Sequence, residues 1–204
     1  MKALIAVPSL DYCAADFAMA LAALTATKQP YRKFNGSDPS PIKVGLINVQ
    51  NSNYPDARNT LAQAALDQAV DWLLFLDSDM TFPPDTLSRL AAHRVDIVGA
   101  SYLTRHKHGN NRLLGHDIQG KPLDLALKGS LAPMLDLPLG CCLIKTSVFK
   151  ALPTPWFRFP MTETHTLSED LYFCRAATAA GLRVWCDTTL TREVAHVGTF
   201  NYQL

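Results

Sequence analysis

The 204-residue chain lacks an excess of either charge: 19 Lys and Arg stand against 18 Asp and Glu, a net charge of +1. This argues against bulk electrostatic binding to nucleic acid or to an anionic membrane, which a basic excess would drive, but leaves room for a local basic site. The chain also lacks any run of about 18 apolar residues, the length a membrane-crossing helix needs. Its apolar N-terminus, Met1 to Ala23, is interrupted by Asp11 and Asp16 and carries Lys2 as its sole cation. A secretory h-region is uncharged, so a cytoplasmic location is expected. The cysteines (Cys13, Cys141, Cys142, Cys174 and Cys186) are odd in number and lack C-x-x-C spacing. They read as buried, reduced thiols, with no short cysteine–histidine array for zinc. No internal repeat, low-complexity tract or linker divides the chain. What is present, 48% apolar and 18% charged residues, fits one globular domain with a substantial core and excludes a disordered or fibrous chain.

Apolar runs bounded by turn residues predict strands over residues 3–7, 42–49, 72–76, 96–100 and 182–186. Helices are expected over 13–27, from an Asp56 cap to about Val70, after Pro83-Pro84 with Leu87 and Leu90 on one face, and from Ser168 to Ala180, ended by Gly181. Residues 139–150 read as a strand leading into a short helix. Residues 29–41, with three prolines and Asn35-Gly36, read as a surface loop. Residues 104–130 show little periodicity, with room for a small hairpin around Gly120. Strands alternating with helices over the first hundred residues predict an α/β fold: a mainly parallel sheet flanked by helices.

The most informative segment is Leu73-Leu74-Phe75-Leu76-Asp77-Ser78-Asp79-Met80. A buried strand runs directly into Asp-x-Asp, and ligands in open α/β sheets gather at the carboxyl ends of strands. Two carboxylates one residue apart repel, and desolvating them together calls for a cation. Mg²⁺ or Mn²⁺ would meet that need and bridge a diphosphate. Taken alone, the tripeptide also fits an acidic turn.

Four stretches together give the chain a resemblance. They are Ile5-Ala6-Val7-Pro8-Ser9; Asp56-Ala57-Arg58-Asn59; Phe75-Leu76-Asp77-Ser78-Asp79-Met80 followed by Pro83-Pro84; and Ser168-Glu169-Asp170-Leu171-Tyr172-Phe173-Cys174-Arg175 with a later Ala195-His196-Val197-Gly198. In this order and spacing they resemble glycosyltransferases of the GT-A fold, in the large family-two-like group of nucleotide-sugar transferases. The resemblance implies a Rossmann-like nucleotide-binding half over about 1–103 and an acceptor and catalytic half over 104–204. It implies a nucleoside diphosphate sugar as donor, with a UDP-sugar favoured, Mn²⁺ or Mg²⁺ as cofactor, and a glycan or other hydroxyl as acceptor. Asp77 would contact the nucleotide and belong, with Asp79 and His196, to the metal site. Pro8, Ser9, Arg58 and Ser78 would contribute to donor binding. Asp170 would be the base that deprotonates an acceptor hydroxyl, with Glu169 positioning the acceptor. The base assignment presupposes inversion of configuration. Purely structural roles compete with these: Glu169 and Asp170 would also stabilise a helix N-terminus that Ser168 could cap. Arg58 and Asn59 could serve as a helix-start salt bridge and turn, and His196 could be an ordinary hydrogen-bonded histidine. Asn51 to Asn53 would lie near the nucleobase. The basic stretch Arg105 to Arg112 could close over phosphates or remain a solvated loop. Trp156 and Phe157 could stack on a sugar or pack in the core.

Three other readings compete. Asp77-Ser78-Asp79-Met80-Thr81 resembles the first motif of haloacid-dehalogenase-type phosphatases, with an aspartate nucleophile; there the motif usually ends the first strand, whereas about seventy residues precede it here. A sugar nucleotidyltransferase would show a glycine-rich phosphate loop after the first strand. This chain has Val7-Pro8-Ser9-Leu10-Asp11 in that place. A non-catalytic nucleotide-sugar-binding module would bind the donor with metal but not turn it over.

Overall fold

The computed structural model describes residues 1–31, 40–105, 111–125, 130–161 and 167–198. In chain order the elements are β1 (Lys2–Ser9), α1 (Ala15–Ala26), β2 (Pro30–Tyr31), β3 (Ser40–Pro41), β4 (Lys43–Gln50), α2 (Tyr54–Asp67), β5 (Trp72–Leu76), β6 (Met80–Thr81), α3 (Thr86–Ala92) and β7 (Ile97–Gly99). There follow β8 (His116–Asp117), β9 (Leu131–Asp136), β10 (Cys141–Lys145), α4 (Thr146–Ala151), α5 (Glu169–Ala179), β11 (Val184–Asp187) and β12 (Ala195–His196).

Eight strands form one sheet in the order β4-β1-β5-β10-β7-β11-β9-β8. β1 pairs parallel with β4 and β5, and β11 pairs parallel with β7, while β10 lies antiparallel between β5 and β7. β9 is antiparallel to both β11 and β8. Only β10 and β9 therefore run against the common direction, so the sheet is mixed around a parallel core, as the alternating pattern predicts. β9 lacks a sequence signal: Pro133 and Asp136 break its apolar character. It is held by pairing with β11 and β8, a tertiary constraint that local propensity does not report.

Helices cover both faces, which is why β1 and β5 are apolar on both sides. On one face Leu73 and Phe75 pack with Leu61, Ala62 and Ala65 of α2 and with Phe149 and Phe173. On the other, Trp72, Leu74 and Leu76 pack with Phe17 and Leu24 of α1 and with Leu87 and Leu90 of α3. Adjacent Cys141 and Cys142 fall on opposite faces, following the period of two in a strand. Four cysteines are buried, but Cys13 is exposed, because the loop after β1 carries it outside the core. Trp156 and Phe157 are core residues: the Trp156 indole donates to the Phe149 carbonyl at 2.8 Å, and the Phe157 ring stacks on Phe173.

Several local details differ from expectation. α2 begins earlier, and its cap is Asn53 rather than Asp56. The Asn53 side chain accepts from the Asp56 amide at 3.0 Å and donates to its carboxylate at 2.8 Å. Pro55 then sits in the first turn, where its missing N–H costs nothing. Asn59 does not fold a local turn; it bonds the Phe157 backbone in both directions, at 2.8 and 3.1 Å. Ser168 occupies the N-cap position of α5 without a side-chain cap bond. The segment 29–41 contributes the paired strands β2 and β3 at its two described ends. A turn over Asp117–Lys121 with Gly120 at φ +76° supplies the anticipated hairpin. His106, Lys107 and His108 of the basic stretch lie outside the described residues.

Candidate active site

β1 and β5 end side by side, and the acidic motif begins where β5 stops. The Asp77 amide donates to the Gly140 carbonyl at 3.0 Å, and the Met80 amide donates back to the Asp77 carbonyl at 3.1 Å. The turn so formed leads into β6, which pairs antiparallel with β12 and sets His196 opposite Met80. The Val197 amide donates to the Asp79 carbonyl at 2.6 Å. A paired Arg89–Glu193 bridge, with N···O distances of 2.8 and 3.0 Å, ties α3 to the segment that leads into β12. Two parts of the chain far apart in sequence are thus joined by a small sheet, and β12 carries no apolar run that would announce it.

At this junction Asp79 Oδ2 lies 3.3 Å from His196 Nε2 and 2.9 Å from Arg105 Nη1. Burial works against the Asp79 charge. The His196 hydrogen bond and the Arg105 charge outweigh it and hold the carboxyl below its ordinary range. The histidine is fixed from behind, since Nδ1 is 3.3 Å from the Leu103 carbonyl and must carry a proton to bond it. In the neutral ring Nε2 is then a lone pair facing a carboxylate. A cation between Nε2 and Oδ2, a second ring proton or a metal ion, satisfies both groups.

Asp77 points elsewhere. Its carboxylate meets Arg58 Nη2 at 2.9 Å, and Arg58 Nε meets Glu169 Oε1 at 3.1 Å. Arg58 is only 2% exposed and lies over the Phe75 ring, 5.0 Å from its centroid. Desolvation opposes its charge, but Asp77, Glu169 and Asp170 together raise its pKa above the usual guanidinium value. Burial pushes both Asp77 and Glu169 above the ordinary carboxylate range, with Arg58 partly offsetting it and neighbouring acids adding to it. Part of the positive charge expected beside the acidic pair is therefore supplied within the chain: Arg58 serves Asp77 and Arg105 serves Asp79. Arg58 is committed to carboxylates and buried away from the cleft surface.

Asp79, Ser78 and Arg105 line a cleft of about 490 Å³ together with Tyr54 and the loop Leu10–Ala14. Pro8 and Ser9 stop short of it. Both are buried at the end of β1, where the Ser9 hydroxyl accepts from Asn48 at 2.9 Å. The residues just after them form the wall, and Tyr54 and Tyr12 present exposed rings nearby. Gly140 matters here because a Cβ on it would lie 2.5 Å from the Tyr102 hydroxyl and 2.8 Å from Asp77 Oδ2. Asp170, at the start of α5, lines a separate pocket, and its Oδ1 accepts from the Leu171 amide at 2.8 Å.

Among the described residues no cluster of three or more His, Cys, Asp or Glu could enclose a metal ion. At the cleft, Asp79 and His196 offer one oxygen and one nitrogen 3.3 Å apart. Such a pair fits Mg²⁺ or Mn²⁺, which take few protein ligands and complete their shells with water and substrate phosphates. Tyr54, Tyr102, Gly140 and the Arg58–Glu169 link carry no motif signal. Only a turn or close-approach argument at Gly140 would have pointed to this corner.

Residues 26–152 match the family model described as Glycosyl transferase family 2. No curated protein matches the chain. Among solved structures, A197 from STIV superposes with a TM-score of 0.66 at 15% identity, covering 97% of this chain and 86% of that one. GalNAc-T7, solved with UDP, GalNAc and Mn²⁺, superposes with a TM-score of 0.62 at 12% identity and covers 97% of this chain. The chain spans 44% of the length of that transferase. At these identities the likeness is one of fold, and that fold is GT-A. Among the described residues no helix is long and apolar enough to cross a membrane.

Proposed function

The chain belongs to glycosyl transferase family 2, and from that premise we propose that it transfers a sugar from a nucleoside diphosphate sugar, a UDP-sugar first among candidates, to an acceptor hydroxyl. The observation that carries the reading is that Asp79, which lines the 490 Å³ cleft, meets His196 at 3.3 Å, with Arg105 on the same carboxylate. A nucleotide would lie along the loop Leu10–Ala14 and Tyr54, its diphosphate toward Asp79 and Arg105. Asp79 and His196 would hold Mn²⁺ or Mg²⁺, and a bound ion would supply positive charge to the departing diphosphate. Pro8 and Ser9 support the loop from below, and Ser78 lines the cleft beside Asp79.

Asp77 serves the site from a position fixed by Arg58. Asp170 would take the proton from the acceptor oxygen as that oxygen bonds the anomeric carbon and the bond to the diphosphate breaks. Glu169 acts at one remove, by holding Arg58 and through it Asp77. In this scheme residues 1–103 supply most of the donor site and 104–204 the acceptor side, with His196 and Arg105 crossing to the donor. The GalNAc-T7 neighbour, solved with UDP and Mn²⁺, supports the donor and metal classes.

The test is a panel of nucleotide sugars with Mn²⁺, read by release of nucleoside diphosphate, beside titration of UDP with and without the ion. Metal-dependent UDP affinity and turnover of one donor are expected. Cleavage of a phosphate ester with no donor turnover would sink the reading. Donor binding with neither transfer nor hydrolysis would identify a binding module instead.

A further inference from the structure

A second pocket, of about 330 Å³, lies between the segment leading into β8 and the start of α5. Leu113, Leu114, Pro122 and Pro138 give it apolar walls, while His116 and Asp170 bring polar groups to it. Two of its lining residues pair with the segment that orders the cleft. Leu103, whose carbonyl receives His196, is bridged to Leu113, and the Leu114 amide donates to the Tyr102 carbonyl at 3.1 Å.

His116 is oriented deliberately. Its Nδ1 lies 2.7 Å from Oδ1 of Asp136, a fully buried carboxylate whose other oxygen receives Nε and Nη2 of Arg175 at 2.8 and 2.7 Å. The carboxylate places the proton on Nδ1 and leaves Nε2, which has no partner among the described residues, for a ligand. Gly115 permits the approach: its φ is +91°, and a Cβ there would lie 2.8 Å from the Asp136 carbonyl.

Resting on the transferase reading, we infer that this pocket is a subsite for one sugar ring of the acceptor. His116 Nε2 bonds a ring hydroxyl and so holds a neighbouring hydroxyl toward Asp170. A pyranose presents an apolar face of C–H groups and a rim of hydroxyls, which matches apolar walls carrying a few fixed polar groups, and the volume is at the small end for ligand sites.

Saturation-transfer NMR with methyl pyranosides of glucose, galactose, mannose and N-acetylglucosamine tests this, with UDP and Mn²⁺ titrated separately on the wild type. At least one pyranoside is expected to bind. His116→Asn retains an amide at the position of Nδ1 and so keeps the Asp136 bond; it should melt with the wild type yet bind the pyranoside about tenfold more weakly. His116→Gln, whose amide reaches the position of Nε2, should recover part of that loss. A purely structural histidine would give the opposite order, Asn rescuing and Gln failing, and that result overturns the inference. Absence of contact from every pyranoside, with UDP still bound, also overturns it. Failure of UDP to bind while a pyranoside does would sink the donor reading and leave the subsite standing.

Discussion

Arg58 and Glu169 meet through a 3.1 Å bond between Nε and Oε1 in the protein interior, although 111 residues separate them. The same guanidinium holds Asp77, so the first acid of each acidic pair is tied to a single cation. The second acid of each pair, Asp79 and Asp170, is left nearer the surface, each lining its own pocket.

Replacing Arg58 by Met leaves the buried Glu169 and the half-buried Asp77 carboxylates without their shared partner. A loss of about 3–5 kcal/mol is expected, as for other buried pairs broken on one side. Chemical denaturation measures it, and adding Asp77→Asn and Glu169→Gln should recover much of the stability. Equal loss in the single and triple variants would show that the guanidinium matters by packing on Phe75 rather than by charge.

Asp79→Ala removes the carboxylate that faces both His196 and Arg105. Calorimetry with UDP should show affinity falling at least about tenfold in Mn²⁺ and little difference between Mn²⁺ and metal-free buffer. A full metal effect in the variant would remove Asp79 from the metal site.

Asp170→Asn should leave UDP affinity intact while transfer falls by about 10²–10⁴, the usual contribution of a general base. Single-turnover transfer with a responsive donor checks it. Near-normal transfer would exclude Asp170 as the base.

Asp187 offers a test by pH. Burial works against its charge, but the 2.9 Å bond to His93 and the amides at Thr189 and Leu190 prevail and hold its pKa below the ordinary value. A carboxylate depressed in the folded state stabilises the fold above its unfolded pKa and loses that contribution as pH falls through the folded value. Asp187→Asn should therefore cost about 1–3 kcal/mol near neutrality. The difference from wild type should shrink in acid below the ordinary carboxylate range. A cost independent of pH would point to lost packing alone.

Much of the fold can be read from local pattern, because β1, β5, α2 and α5 carry strong apolar periodicity or a Gly stop. Asp77 and Asp79 stand out for the same reason: a fully buried strand ending in acids is a conspicuous sequence. β9 and β12 escape notice because their pairing comes from partners distant in the chain, and a two-residue strand has no period. The Asn53 cap was hidden by the acid three residues on, which takes part in the same bond network. The role of Arg58 could not be read either. A helix-start arginine looks the same in sequence whether it faces a ligand or lies 2% exposed between carboxylates; only packing against Phe75 decides it.

β10 runs against its neighbours and separates β5 from β7. The chain must therefore pass residue 145 before the strand that ends in Asp77 gains its second neighbour. During synthesis β5 and β7 each wait with an open edge, the condition under which strands pair with other chains. A fragment ending near residue 103 would hold that state permanently, however well its sequence suits nucleotide binding. Folding of this enzyme should accordingly be slow and governed by distant contacts, and the point at which a nascent chain becomes protected from proteolysis should fall after β10 has emerged.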